Sequence, residues 1–220
     1  MHLNFSVWLT RWPYLLQGAA ISLEIVVIVL LLSTPLAMIA ALGLGATNRA
    51  ILYPMMAISW ILRGIPPLVI LFVAYFVVPQ FGISLTPLVA AIAGFTAYNT
   101  LVVAELIVAG FRSVDPGQHA AIAALGLPPF RAYRRVLLPQ ALPSIIPPYI
   151  SYSTDMVKGT ALAGSIGVLE LVTRANQVIL ATNRPFEILL GIAALYGIVD
   201  AGLMGLQAAA ERLWAPHARR

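Results

Sequence analysis

Hydrophobic residues fall into five long stretches along this chain, each set off by a polar or turn-forming segment. The first covers about 14–44 and carries Glu24 near its start; a turn at 45–48 and then Arg49 follow. The second covers 51–78 and is interrupted by Arg63-Gly64-Ile65-Pro66-Pro67. The third, 87–110, contains Asn99 and Glu105, and the fourth, 143–166, contains Asp155 and Lys158. The last covers 186–206 with Asp200 inside; a mixed, moderately apolar segment at 167–184 precedes it. A helix needs about 20 mainly apolar residues to cross a bilayer. The pattern therefore predicts an all-α, polytopic membrane protein with five transmembrane helices. The first stretch is too long for a signal-peptide core, and no small-residue cleavage site directly follows it, so it is expected to remain as a span. There is no internal repeat or low-complexity tract, and residues 1–220 are expected to form a single transmembrane domain.

Composition removes the main alternatives. The chain is 60% hydrophobic and only 10% charged, with a mean hydropathy of +0.92. A soluble domain carries about 25% charged residues, so this chain lacks the charge to cover a globular surface. A disordered chain would need the opposite composition. The absence of cysteine excludes disulfides, thiolate catalysis and Cys-ligated metal. A net charge of +5 could suggest nucleic acid, but in a membrane chain excess arginine collects in cytoplasmic loops. No nucleic-acid partner is expected; the bilayer is the first partner. If the polar segment 112–135 and the C-terminus are cytoplasmic, that side holds Arg49, Arg112, Arg131, Arg134, Arg135, Arg212, Arg219 and Arg220. The other side then holds Arg11, Arg174 and Arg184. The asymmetry predicts the N-terminus outside and the C-terminus inside.

The polar segment 112–135 has the punctuation of a short helix. Asp115 can cap it, Pro116 suits the first helical position, and Gln118 is placed to complete a capping box. The alanine run that follows favours helix. Gly126 stands where a left-handed residue ends a helix, and Pro128 prevents continuation. A second short helix is expected from near Pro129, carrying Arg131, Arg134 and Arg135. A helix of such small residues either lies on the lipid surface or packs closely against another protein.

This segment resembles the EAA loop of ABC importer permeases, most closely the polar amino-acid uptake branch of histidine, glutamine and arginine permeases. The resemblance is carried by Ser113-Val114, Gly117-Gln118, Ala121, Leu125-Gly126 and Val136-Leu137-Leu138-Pro139-Gln140-Ala141. Ser22-Leu23-Glu24, Arg63-Gly64-Ile65-Pro66-Pro67-Leu68, Val103-Ala104-Glu105, Lys158-Gly159-Thr160-Ala161-Leu162 and Arg184-Pro185-Phe186-Glu187 extend it, in order, over nearly the whole chain. It implies a type I ABC importer permease fold in the bacterial cytoplasmic (inner) membrane. It also implies two ATP-binding cassette subunits docked on the loop through Asp115, Gly117, Gln118, Ala120, Ala121, Leu125 and Gly126. A second permease subunit, identical or related, and an extracytoplasmic solute-binding protein would complete the assembly. The chain would need no cofactor, because ATP would be bound by the partner, and would not itself be an enzyme. Four positions depart from the family pattern. Ala120 replaces the glutamate of the EAA triplet, Val108 an arginine and Gly159 an aspartate, while Asp155 stands where the family has an uncharged residue.

Charges inside the predicted spans need partners or water, since each costs about 2.5–3.5 kcal/mol at a span centre. Asp155 and Lys158 are three residues apart on one helical face and can pair with each other. Alternatively, Glu105, Asp155, Lys158 and Thr160 line a polar path for a zwitterion, carboxylates meeting its ammonium and Lys158 or Thr160 its carboxylate. Arg63 is expected at a helix end, and Glu24 and Asp200 near span ends, where long side chains reach the interface. A self-contained carrier using Glu105 or Asp155 as a proton relay is the alternative function. A P-loop sequence is absent, and Ala163-Gly164-Ser165-Ile166-Gly167 misses the nucleophile-elbow pattern at its first glycine. The histidines, His2, His119 and His217, fall outside the predicted spans, which excludes a serine–histidine protease in the membrane and argues against a metal site.

Overall fold

The computed structural model describes residues 6–214, with side chains described to residue 212. His2, His217, Arg219 and Arg220 lie outside that range. The described residues are predominantly helical, with short turns between helices and no strand among them. Nine α-helices follow in order: α1 (Ser6–Leu44), α2 (Arg49–Gly64), α3 (Pro67–Phe72), α4 (Pro87–Arg112), α5 (Pro116–Ala124), α6 (Pro129–Ala132), α7 (Leu138–Gly159), α8 (Leu171–Thr182) and α9 (Pro185–Trp214). A π-turn at Val73–Val77 and a 3-10 turn at Val78–Phe81 extend α3. A π-turn at Tyr133–Leu137 joins α6 to α7, and a 3-10 turn at Thr160–Ile166 follows α7.

Three helices, α1, α4 and α9, are each long and apolar enough to cross a membrane, and there are up to five spans if each bent pair counts as one. The bends sit where the backbone chemistry puts them. Proline removes a donor and disfavours the helical conformation of its predecessor. At Pro66-Pro67 the chain turns by 97° between α2 and the α3 segment, and a further bend of 59° precedes α8. Two expected boundaries move. α1 begins at Ser6, because Thr10, Arg11 and Gln17 are tolerated on its exposed face, so Glu24 lies mid-helix and not near an end. α9 continues past Leu206 through Gln207 and Glu211, which places Asp200 mid-helix as well.

The longest seam packs α1 against α4. Small residues let the two backbones approach: Ala37 and Ala41 meet Val103 and Ala104 at one end, and Ile25 and Val29 meet Ala90, Ala91 and Phe95 at the other. Small residues are the usual contact in lipid, where close van der Waals packing replaces the hydrophobic drive. Leu71 of α3, Met156 of α7 and Ala163 and Ile166 of the 3-10 turn close the cluster around Ile25 and Phe95. A separate cluster joins the start of α1 to α8 and α9 through Leu15, Leu171, Ala175, Val178 and Ile188. Leu31, Ile39, Leu42, Trp60, Ile198 and Leu206 are exposed, as suits faces turned to lipid.

Candidate functional site

The loop between α4 and α7 forms as its residues dictate. The Asp115 carboxylate accepts the Gly117 amide at 2.6 Å, and Pro116 fills the first turn of α5. Gly126 takes φ +60, the left-handed region, and the Leu127 amide closes back on the Ile122 carbonyl at 3.3 Å. The capping box does not form. Gln118 is turned away from the cap, and its Oε1 accepts from Gln140 Nε2 at 3.2 Å. The second short helix starts at Pro129 as expected: α6 carries Arg131, and the π-turn that joins it to α7 carries Arg134 and Arg135.

The root of this loop is fixed to the helices. Val114 is buried with Ala141 and Ile145. Ser113 donates to Ser144 at 2.9 Å, and the Phe111 and Tyr133 rings stack with centroids 4.9 Å apart. The tip, by contrast, is bare. Gly117, Ala120, Ala121 and Gly126 are exposed, and Leu125 and Phe130 are each 72% exposed. The root is thus braced, while the small-residue and apolar tip is uncovered.

The charges in the spans pair differently from the simplest sequence reading. Lys158 forms an ion pair with Asp200 of α9 at 2.9 Å, and Asp155, its neighbour on α7, has no ion-pair partner among the described residues. Glu105 accepts from Ser59 at 2.5 Å and is bridged by Arg63, so α2 neutralises it. Thr160 is fully buried, with its hydroxyl donating to the Val157 carbonyl at 2.8 Å. The four candidate residues thus do not converge. Asp155 instead lines a recess of about 450 Å³ between α4, α7 and α9, together with Ser151, Tyr152, Gln207 and Glu211. There Ser151 donates to Gln207 at 2.7 Å, and Gln207 to Glu211 at 3.0 Å. Sequence reasoning missed Gln207 and Glu211, because the last span was ended at Leu206; their spacing of four was the available signal. A second polar pair crosses the α1–α4 seam, where Asn99 donates to Ser33; Asn99 Oδ1 and Thr96 Oγ1 are buried without partners. Among the described residues no group of three or more His, Asp or Glu residues could hold a metal.

Residues 33–214 match the family described as binding-protein-dependent transport system inner membrane component. The chain is 30% identical over 213 residues to the arginine transport system permease protein ArtQ of Bacillus subtilis, covering 96% of this chain and 97% of that one. It is 33% identical over 207 residues to the probable amino-acid ABC transporter permease protein PatM of Vibrio harveyi, covering 90% and 91%. The fold superimposes on a crystal structure of an amino acid ABC transporter with histidines at a TM-score of 0.89. There the identity is 28%, with 96% of this chain and 99% of that one covered.

Proposed function

Because the chain belongs to the family of binding-protein-dependent transport system inner membrane components and is similar to amino-acid permeases over nearly its whole length, we propose that it is the membrane subunit of an ATP-driven importer of a polar or charged amino acid. It is a permease and not itself an enzyme; ATP hydrolysis belongs to a separate subunit. The observation that carries the reading is α5: a capped helix, braced at its root and bare at its tip.

In this account two ATPase subunits grip α5 of this chain and of a second permease subunit, through Asp115, Gly117, Gln118, Ala120, Ala121, Leu125 and Gly126. ATP binding closes the ATPase pair and draws the two α5 helices together. The stacked Phe111–Tyr133 root passes that displacement to α4 and α7, and the bundle opens outward to a solute-binding protein. Hydrolysis resets it. The N-terminus lies outside, the C-terminus inside the cytoplasmic membrane, and each bent pair counts as one of five spans. Asp155, with Glu211 in the same recess, meets the substrate ammonium on the face shared with the second subunit, because carboxylates without a cation partner are costly against lipid. Lys158 and Glu105 are already paired and hold helices in place beside that path. With Glu105 held by Arg63, a self-contained carrier would have to rely on Asp155 alone as its relay.

The test is co-purification. An ATPase should accompany the wild-type chain at fixed stoichiometry and be lost from Leu125→Asp, whose charge would sit on the exposed tip. A chain that transports while purifying without an ATPase would overturn the reading.

A further inference from the structure

A cavity of about 670 Å³ lies between the last third of α1, the last third of α4 and the first half of α7, apart from the Asp155 recess and reaching the start of α5 at Pro116 and His119. Its walls are apolar, formed by side chains such as Met38, Leu42, Val103, Ile107, Leu142 and Ile146. The inner end is marked by the hydrogen bond between Thr34 and Tyr149, at 2.7 Å. The outer end is the root of the coupling loop, where Arg112, His119 and Tyr133 join the lining. From Thr34 to Gly45 eleven helical steps cover about 16 Å. That is close to half of a hydrocarbon core about 30 Å thick, so the cavity is one leaflet deep. Met38 and Leu42 at its rim are 55% and 71% exposed on α1, and the cavity opens sideways towards lipid.

We propose that this cavity holds an acyl chain of an anionic phospholipid from the loop-side leaflet, with Arg112 binding the headgroup phosphate. An apolar space open to the bilayer excludes water and admits hydrocarbon. The mouth selects charge. Arg112 forms no ion pair among the described residues. Asp115, the nearest acid in sequence, is held capping Gly117 and is absent from the lining. The rim at Met38 and Leu42 lies on α1 and not on the α5 tip, where a protein partner would sit. The assignment rests on 112–135 being the loop at the cytoplasmic membrane surface. Its consequence is a lipid wedged against the Phe111–Tyr133 root, steadying the lever that the ATPase moves.

The experiment counts lipids retained on the purified permease chain by native mass spectrometry, after extraction from vesicles of equal phosphatidylglycerol and phosphatidylcholine. Wild type should keep phosphatidylglycerol in preference. Arg112→Gln should lower that preference about fivefold, the effect of one cation near a charged surface. Leu42→Trp, which fills the mouth from the lipid side, should lower retention of both lipids, with helical content unchanged. Equal retention of the two lipids by wild type, or retention untouched by Leu42→Trp, would overturn the proposal. Lipids are counted on the chain itself, so loss of the ATPase would refute the importer reading without altering this result.

Discussion

At the scale of single residues, the informative feature is which charges in the spans are already satisfied. Lys158 and Asp200 form one pair between α7 and α9. Replacing either alone leaves a charge in the membrane, at a cost of about 2.5–3.5 kcal/mol on insertion scales. Lys158→Met and Asp200→Leu should therefore each lower the melting temperature of the purified protein, and the double replacement should restore most of it. Asp155 behaves differently in this account. Asp155→Asn should leave melting and ATPase binding unchanged while lowering uptake tenfold or more; unchanged uptake would move the path elsewhere. The sequence alone could place Lys158 near Asp155, because three residues on a helix are neighbours by geometry. It could not place Lys158 beside Asp200, because that contact depends on how α9 packs on α7. For the same reason Arg63 was legible as a helix-end residue but not as the partner of Glu105.

At the scale of elements, α5 is the part whose form follows most directly from local chemistry. Asp115, Pro116 and Gly126 each stand where capping rules put them, since those rules act within a few residues. Gln118 does not, because a tertiary partner, Gln140, outcompetes the local box. Gly126 has open space around the position a Cβ would take, so a side chain there meets no clash and its cost is the left-handed backbone, about 1–2 kcal/mol. Gly126→Asp should insert and accumulate normally, yet abolish stimulation of the ATPase in the reconstituted complex. Asp115→Ala removes the cap and should weaken α5 by about 1 kcal/mol; reduced transport with normal assembly is the expected phenotype. The π-turns beside Val73 and Tyr133 had no signal in the hydrophobic pattern, which reads helix of any pitch alike.

At the scale of the whole molecule, hydropathy made the number of apolar stretches legible but not their paths. Pro66-Pro67 bends one of them and a break at Gly167, in the left-handed region, bends another, and apolar length carries no record of direction. The arginine asymmetry predicts orientation. Reporter fusions at Thr47 and at the C-terminus should read cytoplasmic, and one at Gly82 extracytoplasmic; a C-terminal fusion that reads outside would break the five-span topology. The central claim is that this chain provides a membrane path driven by a separate ATPase through α5. It is tested most directly by uptake of a labelled amino-acid mixture into proteoliposomes containing the permease complex, with solute-binding protein outside and ATP inside. The account predicts accumulation that requires ATP and the binding protein and is lost in Gly126→Asp. Accumulation without ATP, driven by a proton gradient alone, would contradict it.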